Sequence, residues 1–268
     1  MVLLRAQIAD LAADDRTLAI LMNWHDRVAA GQYLPSDIEI NLALNVNGKK
    51  YSVICRDNLA SILLIYSILI NSEYHVPRET ATIYDLGANI GIAAIYFHSV
   101  VPDSEIICVE PGKENLDLLR RNLEINRIRS TVIEGAVSKY SGVVPLYLYP
   151  DAPLSHSLHK KERAMGSSRC VVEDVRSFRF DEVVQGDDYG MKIDIEGSEH
   201  DLVGFPNVIN KAAWIIGEVH YGSFLGGRSS DLLKGIPQER FALDVSNPTQ
   251  VDDRTNRHFR AVRREGVV

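Results

Sequence analysis

Residues 82–96 contain a glycine turn of the kind that approaches a bound nucleotide. The segment reads TIYDLGANIGIAAIY, in which an apolar strand ends near Asp85 and a helical pattern follows Gly91. Gly87 and Gly91 permit a tight turn and a close approach of the backbone to a ligand. In an open parallel sheet, ligands bind beyond the carboxyl ends of the strands, which is where this turn lies. We therefore expect the turn to contact a nucleotide or a nucleoside.

The spacing within the turn indicates which nucleoside binds. A dinucleotide-binding turn has the pattern G-x-G-x-x-G, whereas Gly87 has Asn89 two residues after it. Asp85 would repel a phosphate group but could hold an ammonium group or a water molecule. A cationic nucleoside without phosphate fits better, and S-adenosylmethionine is the obvious candidate. The missing middle glycine also argues against a nicotinamide oxidoreductase.

Acidic residues near the ends of the next two strands support the same ligand. The strand EIICVEP ends at Glu110, about twenty residues after the glycine turn, where a carboxylate can accept hydrogen bonds from both ribose hydroxyls. The following strand contains EGAVS, in which Glu134 and Ala136 would flank an adenine ring. For Glu134, ligand contact and plain surface charge are equally compatible with the sequence.

Charged residues in MKIDIEGSEH could act on an acceptor molecule. Strand alternation places Lys192, Asp194 and Glu196 on one face. Because three charges in the middle of a covered strand would be costly, Asp194 and Glu196 should lie at its open end. A salt-bridged trio around Lys192 is the structural alternative.

The next strand, WIIGEVHY, ends with a second polar group. Glu218 and His220 share a face and should lie near Asp194, because the two strands are expected to be neighbours. A histidine that titrates near neutrality suits a general base, so the expected catalytic residues are His220, Asp194 and Glu196. A purely structural His220 is the alternative. Asp194, Glu218 and His220 could instead bind Mg²⁺, which prefers oxygen ligands, although a metal site is not the favoured prediction.

Three other histidines are weaker candidates. His156 and His159 lie in SHSLHK, within a segment that could form a mobile loop over the acceptor. For each of them, an exposed and inert side chain is the simpler interpretation. His200, in SEHDL, begins the helical stretch after the strand and is a fallback base.

The order of elements predicts how these residues are positioned. From Thr80 onward, short apolar strands alternate with helices, which implies a parallel sheet covered by helices on both faces. STVIEGAVS is expected to be its third strand. The alternation breaks at about residues 143–180, where two strands flank a polar stretch that could form an inserted capping segment. Residues 79–268 are therefore predicted to form the nucleoside-binding domain.

Residues 1–78 are predicted to be an appendage of helices and a hairpin. The pattern from Leu3 to about Gly31 is helical, with apolar residues three and four positions apart. IEINLALNV and KKYSVIC then alternate as two strands joined by Asn47-Gly48, a typical hairpin turn. This appendage could cover the acceptor or mediate a homodimer, and the sequence leaves both possibilities open.

The composition of the chain narrows the classes of molecule that it is expected to bind. The 268 residues carry a net charge of −7, which argues against a nucleic-acid binder, because phosphate affinity comes from clustered Lys and Arg. The pair Lys160-Lys161 is expected to be solvated. Three scattered cysteines indicate a reducing cytoplasm. The longest apolar run is about twelve residues, too short to cross a bilayer. We therefore expect a cytoplasmic protein that binds neither nucleic acid nor membrane.

The quoted motifs resemble one known family. YDLGANIGIAAIYF, ICVEPGKENLDLLRRNLEIN, VIEGAVS and MKIDIEGSEHDLV, within residues 80–203, look like the FkbM family of S-adenosylmethionine-dependent methyltransferases. The resemblance implies a class I Rossmann-like fold whose sheet has seven strands, six parallel and one reversed. It also implies O-methylation of a hydroxyl on a sugar, a polyketide or another secondary metabolite.

The resemblance further implies a set of cofactor contacts, assigned by position to Asp85, Gly87, Asn89 and Gly91 at the methionine end, Glu110 at the ribose, Glu134 and Ala136 at the adenine, and Asp194 closing the site. The family does not determine the acceptor. Methylation of a nitrogen, of RNA or of a protein remains an alternative, as does a cofactor-binding module without catalysis.

Overall fold

The structure is a computed structural model that describes residues 5–32, 38–150, 154, 156–161, 169–225, 231–251 and 254–266. The chain divides into two compact units. The first comprises Met1–Tyr74, Ala88–Asp103 and Lys113–Arg129, and the second comprises His75–Gly87, Ser104–Gly112 and Ser130–Val268. The chain first enters the second unit close to the boundary expected at residue 78. The division into domains 1–78 and 79–268 stays a prediction.

The first unit contains five helices and a hairpin within the described residues: α1 (Arg5–Leu11), α2 (Asp15–Ala29), β1 (Glu39–Val46), β2 (Lys49–Arg56), α3 (Leu59–Ile65) with a π-helical continuation (Tyr66–Ile70), α4 (Ile92–Val100) and α5 (Lys113–Ile125). The predicted hairpin is confirmed, because β1 and β2 pair antiparallel around Asn47 and Gly48. Both turn residues have positive φ, +49° and +76°, as the twist of a two-residue hairpin requires.

The helical pattern expected from Leu3 to about Gly31 is confirmed over the described residues, where it forms the two helices α1 and α2. Asp14 begins the second helix, where its carboxylate accepts a hydrogen bond from the Thr17 N–H at 2.7 Å. This N-cap contact competes with continuation of the first helix. Leu3 itself lies outside the described residues.

Asn122 of α5 joins three segments of the first unit. Its side-chain oxygen accepts from the Ile54 N–H at 2.7 Å, and its amide nitrogen donates to the carbonyls of Ile54 at 2.9 Å and Ile90 at 2.8 Å. The side chain is fully buried. One amide therefore satisfies polar groups of β2 and of the segment that enters α4.

We expect Asn122→Ala to lower the free energy of unfolding by about 2–4 kcal/mol, because one backbone donor and two acceptors lose their partners. Urea denaturation followed by circular dichroism measures the change. Asn207→Ala is the matched control, since Asn207 is exposed and its loss should cost less than about 0.5 kcal/mol. Equal losses in the two variants would contradict the assigned role.

The second unit contains the following strands and helices: β3 (Thr82–Leu86), β4 (Glu105–Glu110), β5 (Ser130–Glu134), β6 (Ala136–Ser138), β7 (Gly142–Leu148), β8 (Val171–Arg179), α6 (Phe180–Val183), β9 (Tyr189–Ile193), α7 (Pro206–Lys211), β10 (Ala212–Tyr221), α8 (Leu232–Gly235), β11 (Phe241–Val245), β12 (Thr249–Val251) and β13 (Arg254–Arg263). A 3₁₀ turn over Glu199–Gly204 precedes α7. Within the described residues, no helix is both long enough and apolar enough to span a membrane.

The main sheet confirms the expected topology. Its order is β11-β13-β10-β9-β3-β4-β5, with the short β12 paired to β13. β10, β9, β3, β4 and β5 are parallel to one another, whereas β13 runs antiparallel to both β10 and β11. The seven strands of this order thus comprise six that share one direction and one that is reversed, and β12 is an additional short strand at the edge. Because β9, β3 and β4 are adjacent and parallel, their carboxyl ends lie at one edge.

The core of the second unit explains why β9 reads as a continuous buried strand. All five of its residues are buried. Met191 and Ile193 belong to an apolar cluster with Val208 and Ile209 of α7 and Leu232 of α8. The helices after β9 and β10 thus hold the ends of these strands in place, and with them the polar residues that follow.

The expected third strand, STVIEGAVS, is wrong as a single element. Gly135 divides it into β5, which ends the main sheet, and β6, which joins a separate sheet of order β6-β8-β7. A Cβ on Gly135 would lie 2.7 Å from the Arg176 carbonyl oxygen, so the change of sheet requires a glycine. In the segment predicted at 143–180, the described residues include the antiparallel pair β7 and β8. Residues 151–153, 155 and 162–168 lie outside the described part.

Candidate active site

Asp85 and Lys192 form a buried ion pair at the centre of the main sheet. They are register partners on β3 and β9, and Lys192 Nζ lies 3.2 Å from Asp85 Oδ1. The ammonium also donates to the Gly87 carbonyl at 2.7 Å. Burial alone would lower the pKa of Lys192, but the Asp85 carboxylate outweighs it and the pKa is raised. Lys192 therefore ties the start of the glycine turn, at the end of β3, to the neighbouring strand β9.

Gly87 brings the turn into contact with the end of β9. Its φ is +84°, and a Cβ there would overlap the Asp194 carbonyl oxygen. The Asp194 N–H donates to the Leu86 carbonyl at 3.1 Å. Only glycine allows this approach. The expected cofactor turn and the expected acceptor residue Asp194 are therefore adjacent.

Glu110 and Glu134 are register partners at the ends of β4 and β5. Glu110 is 5% exposed, and its carboxylate accepts from the Gly112 N–H at 2.9 Å. Glu134 is exposed, and Ala136 is buried at the start of β6. Glu110 and Glu134 thus lie at neighbouring strand ends of the main sheet, whereas Ala136 begins a strand of the separate sheet. A nucleoside contact for these three residues stays a prediction.

Asn89 and Gly91 belong to the first unit. The Asn89 side chain accepts from the Ile90 N–H at 2.8 Å. Gly91 has φ +89°, and a Cβ there would lie 2.9 Å from Leu119 of α5. Packing at the entry to α4 thus explains this glycine, and a cofactor contact for both residues stays a prediction.

His220 lies at the centre of an acidic cluster and is fully buried. Its Nδ1 lies 3.0 Å from Glu199 Oε1. The Glu199 carboxylate also accepts from the N–H groups of Ile195 and Gly197, each at 2.9 Å. Burial alone would raise the pKa of Glu199, but His220 and the Gly197 N–H outweigh it and hold that pKa at about 2. Glu199 is therefore an ionised carboxylate that orients the imidazole ring.

The other ring nitrogen of His220 faces three carboxylates. Nε2 lies 3.3 Å from Glu218 Oε2, 3.6 Å from Glu196 Oε1 and 4.0 Å from Asp194 Oδ1, and it makes no hydrogen bond of acceptable geometry. Burial would lower the pKa of His220, but Glu196 and Glu199 raise it well above its ordinary value. Burial raises the pKa of Asp194 to about 7, with the Glu218 charge acting in the same direction. The predicted residues Asp194, Glu196, Glu218 and His220 are thus brought together.

Lys161 borders the cluster from the segment before β8. Its Nζ donates to Glu196 Oε2 at 2.5 Å, and its side chain is 1% exposed. The Ser157 hydroxyl donates to the Glu196 carbonyl at 2.5 Å, and Glu196 has an unfavourable φ of +56°. The prediction of a solvated Lys161 is wrong, because its ammonium neutralises a partly buried carboxylate.

Two of the three weaker candidates, His200 and His159, have structural contacts. His200 is buried, and its Nδ1 accepts from the Leu232 N–H at 3.1 Å, which leaves Nε2–H to donate to the His220 carbonyl at 2.9 Å. Both of its ring nitrogens are therefore occupied. His159 Nε2 lies 3.2 Å from the Ser198 hydroxyl, which is the residue before Glu199. Neither contact indicates a base.

Two residues of this site were missed by the sequence interpretation. Glu199 lies three residues after Glu196 in IEGSEH. Because Gly197 allows the chain to turn between them, this spacing could have predicted that both carboxylates belong to one site. Lys161 had no such signal, since basic residues are common on surfaces. Together the acids of the cluster can accept a proton from a hydroxyl group or hold a cation.

Comparison with known proteins finds a matching family model and similar sequences. Residues 85–239 match the family model described as the Methyltransferase FkbM domain. Two curated relatives are methyltransferase sdnD of Sordaria araneosa, 34% identical over 83 residues, and 31-O-demethyl-FK506 methyltransferase FkbM of Streptomyces tacrolimicus, 34% identical over 82 residues. These stretches cover 30% and 31% of this chain, and only 32% of the length of each relative.

Two solved structures illustrate the similarity of fold. A methyltransferase FkbM from Methylobacillus flagellatus matches with a TM-score of 0.45 and 16% identity, over 96% of this chain and 57% of that one. Aeropyrum pernix fibrillarin with bound S-adenosyl-L-methionine matches with a TM-score of 0.42 and 16% identity, over 83% of this chain and 82% of that one.

Proposed function

The chain belongs to the FkbM methyltransferase domain family, and on that premise we propose that it transfers a methyl group from S-adenosylmethionine to a hydroxyl of a small polar molecule. The observation that carries the proposal is the contact between Gly87 and Asp194. It joins the expected cofactor turn to the acidic cluster around His220 at one edge of the sheet. The proposed donor half and the proposed acceptor half of the site would thus be adjacent.

The strand ends of the second unit suit a phosphate-free nucleoside. Glu110 supplies a carboxylate at the end of β4, where it can accept from the ribose hydroxyls, and Glu134 and Ala136 would flank the adenine. Asp85 is fully buried beside Lys192, so we assign it an indirect role through the Gly87 carbonyl that Lys192 holds. The bound cofactor would supply the electrophilic methyl group.

The exposed fractions of the side chains distinguish the roles that we propose for the residues of the acidic cluster. The Asp194 side chain is 25% exposed, against 17% for Glu196 and Glu218 and none for His220. We therefore place the acceptor hydroxyl against Asp194, which would receive its proton, with Glu196 as the second carboxylate. His220 would be a positioning residue rather than the base that touches the acceptor. A base of this kind contributes roughly 10²–10⁴-fold, and alignment of the hydroxyl with the methyl group contributes further.

Two observations favour an oxygen of a small molecule over other acceptors. The name of the Streptomyces relative describes a 31-O-demethyl substrate, and the net charge of −7 disfavours RNA. The test is incubation with S-adenosylmethionine and a panel of hydroxylated sugars and polyketides. Mass spectrometry should show a product one methylene heavier, whose new methyl group lies on oxygen. Methylation confined to nitrogen, RNA or protein would overturn the hydroxyl assignment.

We expect Glu110→Gln to weaken the binding of S-adenosylhomocysteine by roughly 10–100-fold, because a charged acceptor for two hydroxyl groups becomes a neutral amide. Isothermal titration calorimetry measures the dissociation constant. Glu124→Gln carries the same change at an exposed position of α5 and should bind like the wild type. An unchanged dissociation constant in Glu110→Gln would refute the ribose assignment.

A further inference from the structure

We propose that Asp194, Glu196 and His220, with Glu218 beside them, bind a divalent cation of the Mg²⁺ or Mn²⁺ class. Its catalytic use rests on the methyl transfer proposed above, but the binding itself does not. The sequence interpretation did not favour a metal, and its tentative ligand set lacked Glu196. The structure instead groups the ligand atoms of Asp194, Glu196 and His220 within 4.8 Å of one another.

The first argument is the state of His220 Nε2. This atom is buried in a fully buried side chain and makes no hydrogen bond. A buried polar atom without a hydrogen bond costs free energy unless something else satisfies it. Nε2 points at carboxylate oxygens. Carboxylates and an imidazole can bind the same hard or borderline cation as ligands. A cation would satisfy the nitrogen and the oxygens together.

The second argument is the contact on the opposite side of the ring. Glu199 lies 3.0 Å from Nδ1 and is itself held by the N–H groups of Ile195 and Gly197. A carboxylate that accepts from one ring nitrogen of a histidine keeps a proton there, so that a metal can bind the other nitrogen by displacing its proton. Glu199 therefore has the position of the supporting carboxylate in a histidine metal site.

The distances around Nε2 fit one cation. Ligand atoms at about 2.1 Å from an octahedral cation lie about 3 Å apart when adjacent and about 4.2 Å apart when opposite. The contacts from Nε2 to Glu218, Glu196 and Asp194 are 3.3, 3.6 and 4.0 Å. The Glu218 contact is close to the adjacent spacing and the Asp194 contact to the opposite spacing, whereas the Glu196 contact lies between them and would need a small side-chain shift.

Charge supports a cation rather than a neutral ligand. Asp194, Glu196, Glu199 and Glu218 place four carboxylates around one imidazole, and Lys161 is paired with Glu196. Carboxylates removed from water require compensation by positive charge. Carboxylate-rich sites with one imidazole select Mg²⁺ or Mn²⁺ over metals that prefer thiolate. Beside the exposed side of Asp194, such a cation could orient the acceptor hydroxyl and promote loss of its proton.

The test is a titration of the whole, metal-stripped protein with MnCl₂, without cofactor or acceptor, in which electron paramagnetic resonance measures free Mn²⁺. We expect one Mn²⁺ per chain, displaced by excess Mg²⁺. Pulsed measurements on the complex should show coupling to an imidazole nitrogen. Absence of saturable binding, or binding without nitrogen coupling, would overturn the proposal.

Variants of the cluster residues test which side chains bind or support the metal ion. Asp194→Asn should weaken Mn²⁺ binding at least tenfold, and Glu199→Gln by roughly 10–100-fold, as for other supporting residues of metal sites. Glu124→Gln, at an exposed position of α5 outside the cluster, should bind Mn²⁺ like the wild type. His220→Ala should abolish the nitrogen coupling. Circular dichroism shows whether His220→Ala folds. If it does not, the Mn²⁺ affinities of Asp194→Asn and Glu199→Gln test the site, and wild-type affinity in both variants refutes it.

Calorimetry with S-adenosylhomocysteine in EDTA separates this proposal from the proposed function. Binding of S-adenosylhomocysteine without any Mn²⁺ binding refutes the metal site and leaves the methyl-transfer proposal intact. Binding of Mn²⁺ without any S-adenosylhomocysteine binding supports the metal site and refutes the methyl-transfer proposal.

Discussion

Replacement of Lys192 by methionine should lower the free energy of unfolding by about 3–5 kcal/mol, the loss expected when one partner of a buried ion pair is removed. Lys192 and Asp85 are 3% and 0% exposed, so methionine would leave the Asp85 carboxylate buried without its ion-pair partner. The Gly87 carbonyl would also lose its hydrogen bond from Nζ. The loss should therefore affect both the core and the turn expected to contact the cofactor.

Chemical denaturation of Lys192→Met, followed by tryptophan fluorescence, measures this loss. The matched control is Lys211→Met, because Lys211 is 51% exposed and pairs with Asp187 at the surface, where an ion pair contributes about 1 kcal/mol or less. Adding Asp85→Asn to Lys192→Met removes the buried charge and should restore part of the stability. If the double variant is as unstable as the sum of the single variants, the two residues are not coupled.

Asp194→Asn should reduce kcat for methyl transfer by roughly 10²–10⁴-fold, the usual contribution of a proton-accepting group. Asparagine keeps the shape of the side chain but neither accepts a proton nor neutralises a cation. The Asp194 backbone contacts at Leu86 and Gly87 would remain. The fold and the cofactor turn should therefore be retained.

The value of kcat is measured as the rate at which S-adenosylhomocysteine is formed at saturating S-adenosylmethionine. The affinity for S-adenosylhomocysteine is measured separately. Asp187→Asn, at a position 74% exposed, is the control and should retain the wild-type kcat. A loss of rate accounted for entirely by weaker cofactor binding would contradict the placement of the acceptor at Asp194. It would then favour the role at the cofactor that the family resemblance implies for this residue.

Local chemistry was sufficient to predict several elements. The Asn47-Gly48 hairpin forms as expected because both residues accept positive φ. The parallel order of strands follows from short apolar runs that alternate with helices. The single strand expected through Gly135 was wrong for a local reason of another kind. A close approach of the backbone at Gly135 interrupts a continuous apolar pattern.

The sequence by itself determined that Asp194 and Glu196 end a buried strand, and that Glu218 and His220 end the next. Strand alternation and the cost of burying charge were enough for this conclusion. Tertiary structure alone decided the partners, since pairing across the sheet depends on register and on residues distant in the chain. Lys192 therefore pairs with Asp85 of a neighbouring strand. Glu199 and Lys161 complete the cluster for the same reason. Buried charges require partners of opposite charge, and the fold brings Glu199 to His220 and Lys161 to Glu196.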